Sequence, residues 1–356
     1  MENHRLKVVL IASEDWLPGI RSYAPGSCPD PVVLYRLLAE QYGIDVEIID
    51  PFLSSKLPLL RRHMVYRGID PFRALKILLF RRDVDLVLSV FESSVAVMTL
   101  LRRAMLYKPK LAIWDVIPDE VWKPRKWLQN IAFPRVDGLF VLSGNQIPYL
   151  EKRWGIGDRA TPIWQEIDTE FYQPQNFNMD GPILAIGDDH GRDWPTLIEA
   201  LAPLDVELVV KTRAKLAVPN NARMRLKQIS SRLSFPELRE LYAKASLVVI
   251  PLSETLNVSG VGSVLESMAM GKPLVISDNP PIRDYLEPGK TAEVVPVGDA
   301  VKLREAVVAL KADPERMRTM GGLARARAVE LYSAEPYAER FAAALRSLCA
   351  PPRSKP

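Results

Sequence analysis

The sequence predicts an α/β protein built from two doubly wound parallel-sheet domains in tandem, and three observations carry this. At 356 residues the chain exceeds one hydrophobic core of ordinary size. Short runs rich in Val, Ile and Leu alternate with amphipathic stretches at helical spacing. That alternation stops in a segment rich in Pro, Asn and Gly, then starts again.

In the first half, residues 8–12, 45–49, 84–90, 111–114, 138–142 and 161–164 read as strands. Several are apolar throughout, the pattern of strands covered on both faces. Residues 32–41, 72–80, 95–106 and 147–154 carry the helical period between them. Strand–helix alternation predicts parallel pairing through right-handed crossovers. The second half repeats the scheme, with strands at 182–186, 206–210, 247–250, 273–276 and 293–296 and helices at 194–202, 236–244, 261–270 and 301–310. The break between Tyr172 and Pro182 has no apolar period and reads as a linker. The expected domains are therefore Rossmann-like units at 1–172 and 181–334, with ligands bound in a cleft between them, outside the carboxyl ends of the strands. Residues 314–331 and 335–348 read as helices, and 351–356 as a disordered tail.

Composition narrows the class. Apolar residues make up 48% and charged residues 25%, ordinary for a soluble globular protein. The two cysteines, Cys28 and Cys349, are far apart, and His4, His63 and His190 are the only histidines. Neither a disulfide framework nor a structural zinc site is expected, and the usage suits a reducing compartment. The apolar run at 8–12 is too short for a signal peptide. The best membrane-span candidate, 86–101, is interrupted by Glu92. A cytoplasmic protein is the expectation.

The densest chemistry lies in residues 251–278, PLSETLNVSGVGSVLESMAMGKPLVISD. A strand runs into a loop holding Ser253, Thr255, Ser259, Gly260 and Gly262, and a helix follows with Glu266 one turn inside it. Small residues let a ligand approach the backbone. The free amides and positive dipole end at a helix start attract an anion. A carboxylate at Glu266 can accept two hydrogen bonds from vicinal hydroxyls. Phosphate at the amides and ribose at the carboxylate describe a nucleotide, although a tight strand–turn–helix with a surface Glu has the same spacing.

This segment resembles the donor-site motif of retaining glycosyltransferase family 4: a Glu, seven residues, a second Glu, then Ala-Met-Ala-x-Gly-x-Pro-Val-Val. The matching residues are Glu266-Ser267-Met268-Ala269-Met270-Gly271-Lys272-Pro273-Leu274-Val275. The second Glu falls on Glu266, which the resemblance assigns to the donor ribose. The first falls on Val258, a departure from the pattern, and Glu254 is the nearby carboxylate that could take its place. Glu166 to Pro174 is similar to the family's Gly-Val-Asp-Thr-x-x-Phe-x-Pro, and Ser246 to Pro251 to the strand before its donor loop. The resemblance implies a GT-B fold and transfer of a hexose-type sugar from a nucleotide diphosphate, with retention; no metal or other cofactor is expected, since the chain offers no convincing acidic cluster. The acceptor class is left at glycan, lipid-linked or small molecule. The helix at 335–350 is expected, on the same analogy, to cross back to the first domain.

Catalytic and binding residues follow from both readings. Where the family carries Gly-Arg…Lys-Gly, this chain has Gly187, then Asp188 in place of the Arg, with Arg192 near the Lys position. Lys211 and Arg213 follow the next strand toward the same sheet end. Arg192, Lys211 and Arg213 are the candidate cations for the diphosphate, with Gly187, Ser259, Gly260, Val261 and Gly262 supplying backbone. Solvated surface charge is the commoner fate of Lys and Arg. Asp188, Asp189 and His190 form the one tempting metal set, but oxygen-ligated divalent sites usually draw on more groups. Asp115, after a strand of the first half, either orients a hydroxyl or acts as a base, or else caps the next helix. Glu92 is a second cleft candidate, and residues 14–31 occupy the position of the family's acceptor loop.

Residues 56–82 interleave Lys56, Arg61, Arg62, Arg67, Arg73, Lys76, Arg81 and Arg82 with large apolar side chains, against the single acid Asp70. Such a stretch either rests on an anionic membrane surface, here the inner membrane face, or is a core helix with a solvated basic face. No nucleic-acid motif accompanies the charge. Two other functions fit the same features: a sugar-nucleotide epimerase, and a non-catalytic nucleotide-binding partner of another transferase.

Overall fold

The computed structural model describes residues 5–51, 70–116, 123–175 and 178–351. The chain forms two compact units. One takes the N-terminal residues to Tyr23, then Pro31–Trp164, then the chain from Tyr337; the other takes Ala24–Asp30 and Gln165–Pro336.

The first unit runs β1 (Leu6–Ile11), α1 (Leu17–Arg21), α2 (Val33–Tyr42), β2 (Ile44–Ile49), α3 (Pro71–Phe80), β3 (Leu86–Val90), α4 (Ser93–Leu101), β4 (Lys110–Val116), α5 (Lys123–Ala132), β5 (Gly138–Val141), α6 (Gln146–Trp154) and β6 (Ala160–Pro162). The sheet is parallel in the order β2-β1-β3-β4-β5-β6, with its switch point between β1 and β3. β3 and β5 are buried at every residue, as strands covered on both faces must be. Ile77, Leu78, Met98, Leu128, Phe133 and Leu150 bring α3 to α6 into one core against one face of this sheet. Local chemistry sets the ends. Asp70 accepts the Arg73 amide at 2.9 Å and Pro71 opens α3, while α2 and α6 stop at Gly43 and Gly155, both left-handed.

The second unit runs β7 (Ile183–Ile186), α7 (Trp194–Leu201), β8 (Glu207–Lys211), β9 (Arg225–Ile229), α8 (Phe235–Lys244), β10 (Leu247–Ile250), α9 (Val261–Ala269), β11 (Leu274–Ser277), β12 (Glu293–Val295), α10 (Ala300–Lys311) and α11 (Pro314–Arg327). Its parallel sheet has the order β12-β11-β10-β7-β8-β9. Asp193, Asp299 and Asp313 cap α7, α10 and α11, and Ser234 with Glu237 closes a capping box on α8. Lys272, just after α9, is buried. Its Nζ donates to the Ala243 and Ala245 carbonyls at 2.8 and 2.9 Å, and burial lowers its pKa to about 8.

The last helix, α12 (Ala334–Cys349), joins the first unit from Tyr337 onward. There Phe341 meets Trp114 and Phe140 at ring-centroid distances of 5.1 and 5.7 Å.

Several expectations need correcting. The division falls at Trp164/Gln165, ahead of the linker, so Gln165–Tyr172 belongs to the second unit and not to a domain 1–172. The Ile167 amide bonds to the Tyr332 carbonyl, Arg239 stacks on Phe171, and Arg325 donates to the carbonyls of Thr169 and Tyr172. Ala24–Asp30, part of the expected acceptor loop, also belongs to the second unit, with the Asp30 amide on Asp168 at 2.8 Å. β9 and α5 are not among the expected elements; β9 is a sheet edge whose residues are exposed or half-buried. Of the basic stretch, 56–69 lies outside the described residues. Arg73 is not on a solvated face but buried, donating to Ala12 O at 2.8 Å and Ser94 Oγ at 2.7 Å, and Arg81 pairs with Glu47.

Candidate functional site

Polar residues of the second unit gather where β7, β8 and β10 end and α9 begins. Arg192 lies in the loop after β7 and bridges to Leu252 just beyond β10. Its guanidinium is buried and held by two acceptors: Nε donates to Asp189 Oδ2 at 2.8 Å and Nη2 to Ser263 Oγ at 3.0 Å. Nη1 has no hydrogen-bond partner among the described residues. A buried N–H left unpaired is costly, so a missing acceptor is implied.

The glycines around it are sterically required. A Cβ on Gly187 would overlap the Arg192 guanidinium, and one on Gly191 would overlap the Ser259 side chain. Gly260 has φ +82°, and a Cβ there would stand 3.3 Å from Arg192 Nη1. Gly260 also opens α9, where no side chain caps the helix. The first helical bond is Val264 N–H to Gly260 O at 3.0 Å, so the amides of Val261, Gly262 and Ser263 precede it. Free amides, a helix dipole and Nη1 thus meet at one point, the arrangement that binds phosphate.

Glu266 sits one turn along α9, partly buried. Tyr242 Oη donates to its Oε2 at 2.7 Å and Tyr172 Oη to its Oε1 at 3.2 Å. Burial raises its pKa, while the two phenols and Arg192 pull it back. Each carboxylate oxygen keeps a lone pair, so the tyrosines fix the group and leave it able to accept two hydroxyls. Composition gives no sign of either tyrosine as a functional residue, although Tyr172 lies in the segment 166–174 that shares in the resemblance.

Lys211 and Arg213 reach the same sheet end but are not free cations. Lys211 Nζ stands 2.7 Å from Asp188 Oδ2 and Arg213 Nε 3.2 Å, and the Arg213 amide donates to Asp188 Oδ1 at 2.6 Å. Partial burial works to raise the pKa of Asp188, but the Lys211 and Arg213 hydrogen bonds and charges outweigh it and hold the group at about 2. The residue replacing the family's Arg therefore pairs with the two cations nearest it and offsets one of their two charges. A pocket of about 410 Å³ opens here, lined by Asp188, His190, Arg192, Trp194, Thr212 and Arg213 among others.

The loop before α9 is fixed from β11. Ser277 Oγ accepts the Leu252 amide at 2.9 Å, and Asn279 Nδ2 donates to Ser253 O at 3.0 Å and Thr255 Oγ1 at 3.1 Å. Glu254 is exposed, and Val258 and Ser259 are half-buried. Among the described residues, no group of three or more His, Cys, Asp or Glu could hold a metal ion.

In the first unit, Asp115 lies inside β4, not beyond it, at a register shift opposite β5. It therefore caps no helix. Its φ of +61° is rare for a non-glycine residue, and such bulges re-aim a side chain. Oδ1 has no partner among the described residues, and burial pushes the pKa up to about 6 against the pull of Arg125. Glu92, at the end of β3, is buried and accepts Arg125 Nε at 2.8 Å, which makes it a structural ion pair.

The family model described as Glycosyl transferases group 1 matches residues 192–313. Over these residues the second unit is similar to group 1 glycosyl transferases. The match opens on Arg192 and takes in the α9 loop and Glu266. The MMP alpha-(1->4)-mannosyltransferase of Mycolicibacterium hassiacum is 32% identical over 184 residues, 47% of this chain and 43% of that protein. The chain thus spans under half the length of this curated relative. Sucrose-phosphate synthase from Thermosynechococcus elongatus superposes with TM-score 0.69 at 17% identity, covering 97% of this chain and 99% of that one. Anabaena Alr3699/HepE, solved with UDP and glucose, gives 0.66 at 13% identity, over 96% and 100%. These likenesses show the fold: the second unit is one half of a two-domain α/β GT-B protein.

Proposed function

We propose that this protein is a glycosyltransferase that moves a hexose-type sugar from a nucleotide diphosphate to an acceptor hydroxyl. The observation that carries the reading is the buried Arg192 guanidinium, its Nη1 unmatched beside the uncapped start of α9. One turn on, Glu266 is held by two phenols with capacity to spare. The diphosphate belongs at Nη1 and the amides of Val261 to Ser263, and the ribose at Glu266.

Departure of the nucleotide loads negative charge onto the diphosphate. Donors already fixed in place stabilise that charge without reorganising, and losing one typically costs about 10²–10³ in rate. Arg192 is such a donor, because Asp189 and Ser263 hold it and Gly187 leaves it room. In this reading the countercharge comes from Arg192 and the helix, without a metal. Lys211 and Arg213 join only if Asp188 releases them. Asp115 is the group assigned to a sugar hydroxyl on the first unit. Retention of configuration rests on the resemblance of 266–275 to retaining enzymes, and a hexose is supported by the sugars named for the relatives.

Thermal shift with UDP, GDP and their hexose conjugates tests the donor site. A ligand at about 100 times its Kd adds about 2.7 kcal/mol. A shift with one nucleotide, lost in Glu266→Ala, is expected; no shift with any of them from folded protein would reject the reading. Val258 in place of the family's Glu favours one alternative, a nucleotide-binding partner without activity. It predicts the same shift but no glycosylated product when the shifting donor is mixed with candidate acceptors.

A further inference from the structure

We propose that the outer face of α3, α4 and α5 is a docking surface for an anionic lipid leaflet. The inference is independent of the reaction proposed above. It moves the membrane expectation from the stretch 56–82 to a three-helix layer and rests only on described residues.

α3 carries large apolar residues on both its buried and its outer side. Ala74, Ile77 and Leu78 face the core, while Phe72, Leu75, Leu79 and Phe80 face outward. A helix buried on one side only has no use for apolar residues on the other unless something covers them. α4 packs beside α3, and α5 beside α4. The end of α3 and the turn after α4 are stitched together: Tyr107 Oη donates to Arg81 O at 2.6 Å and Arg82 Nη2 to Met105 O at 2.9 Å. Phe80 and Leu106 are therefore brought near one another, and Trp127 lies on the third helix of the layer. Phe80 is 67% exposed, Leu106 79% and Trp127, on α5, 60%. Leu106 also has φ +50°, a conformation leucine rarely adopts, and it is spent on holding that side chain out.

Charge decides what covers the face. Residues 71–82, 93–110 and 123–135 each carry four Lys or Arg and not one Asp or Glu. The chain holds 43 acids in 356 residues, so stretches this long would ordinarily contain several. Arg73, Arg81, Arg102 and Arg125 are engaged by groups of the protein itself. Arg103, Lys108 and Lys126 stand exposed or half-buried on the same helices and the turn after α4. Protein interfaces are depleted in Lys at their cores. Phe, Leu and Trp together with Lys and Arg fit a headgroup layer, where each basic residue near the surface adds to the attraction.

Flotation of the full chain with vesicles tests this, using phosphatidylcholine alone and an equal mixture of phosphatidylcholine and phosphatidylglycerol. The protein is expected to float with the mixture, to float less as salt rises, and to stay in solution with phosphatidylcholine alone. Leu106→Gly combined with Phe80→Ser should lower binding at least about tenfold. The glycine relieves the φ strain, so loss of fold is not a competing cause, and circular dichroism checks it. Reversal of Arg103 and Lys108 to Glu should lower binding similarly. Wild-type protein that stays in solution at low salt overturns the proposal, as do variants that float like wild type. A concentration-dependent dimer abolished by Phe80→Ser, without flotation, would also overturn it and make the face a contact between two copies.

Discussion

Arg192 Nη2 donates to Ser263 Oγ at 3.0 Å, tying the loop after β7 to the first turn of α9. Through this bond a residue from one crossover is aimed at the helix start of another. Asp189 accepts the adjacent Nε of the same guanidinium at 2.8 Å. The remaining nitrogen is therefore fixed in direction before any ligand arrives.

Arg192→Met should lower kcat/KM by about 10²–10³ while leaving the fold intact by circular dichroism. Arg192→Lys should rescue little, since one ammonium cannot span Asp189, Ser263 and an anion in a planar fork. Steady-state kinetics with the donor found by thermal shift would read both. Lysine restoring full activity would mean that only net charge matters here.

Tyr242→Phe removes the shorter hydrogen bond to Glu266. A bond to a charged group is worth about 1.5–3 kcal/mol, and both stability and nucleotide affinity should fall by part of that. Losing a donor to the carboxylate raises its pKa further, so nucleotide binding, which needs the ionised form, should shift to higher pH. Calorimetric titration across pH would show the displacement. An unchanged profile would place ribose recognition elsewhere.

Glu166 should make folding pH-dependent. Burial, with Asp168 and Asp30 nearby, raises it from 4.5 to about 7, and Oε2 has no partner among the described residues. The folded-state value lies above the unfolded one. Its contribution to stability is therefore present below about pH 4.5 and lost as pH rises through about 7, on the order of 3 kcal/mol in full. Urea denaturation at pH 5 and 8 should show this loss, and Glu166→Gln should shrink it. An equal pH dependence in that variant would assign the effect to other groups.

Asp115→Asn should lower transfer with little effect on nucleotide affinity, because Asp115 belongs to the first unit and the nucleotide site to the second. If Asp115 acts ionised, wild-type activity should rise with pH through about 6, and that limb should vanish in the variant. A pH–rate profile and nucleotide titrations on one preparation decide it. Full activity in the variant would return Asp115 to a purely structural role.

What the sequence determined by itself was periodic or local. Apolar runs separated by helical stretches specify two parallel sheets, because a strand buried on both faces must be apolar at every position. The small-residue loop before α9 and Glu266 were legible because phosphate sites at helix starts depend on consecutive residues. Tertiary structure decided the partners. Asp188 lies twenty-three residues from Lys211, and Tyr172 and Tyr242 reach Glu266 from other elements, so no local pattern could record them. The same holds for Arg192, whose charge was visible but whose two fixed nitrogens and one open one were not. It holds again for the division at Trp164/Gln165, since the composition break marks only where structure is irregular. Long-range contacts, such as Arg325 to the Thr169 and Tyr172 carbonyls, decide to which core a segment belongs.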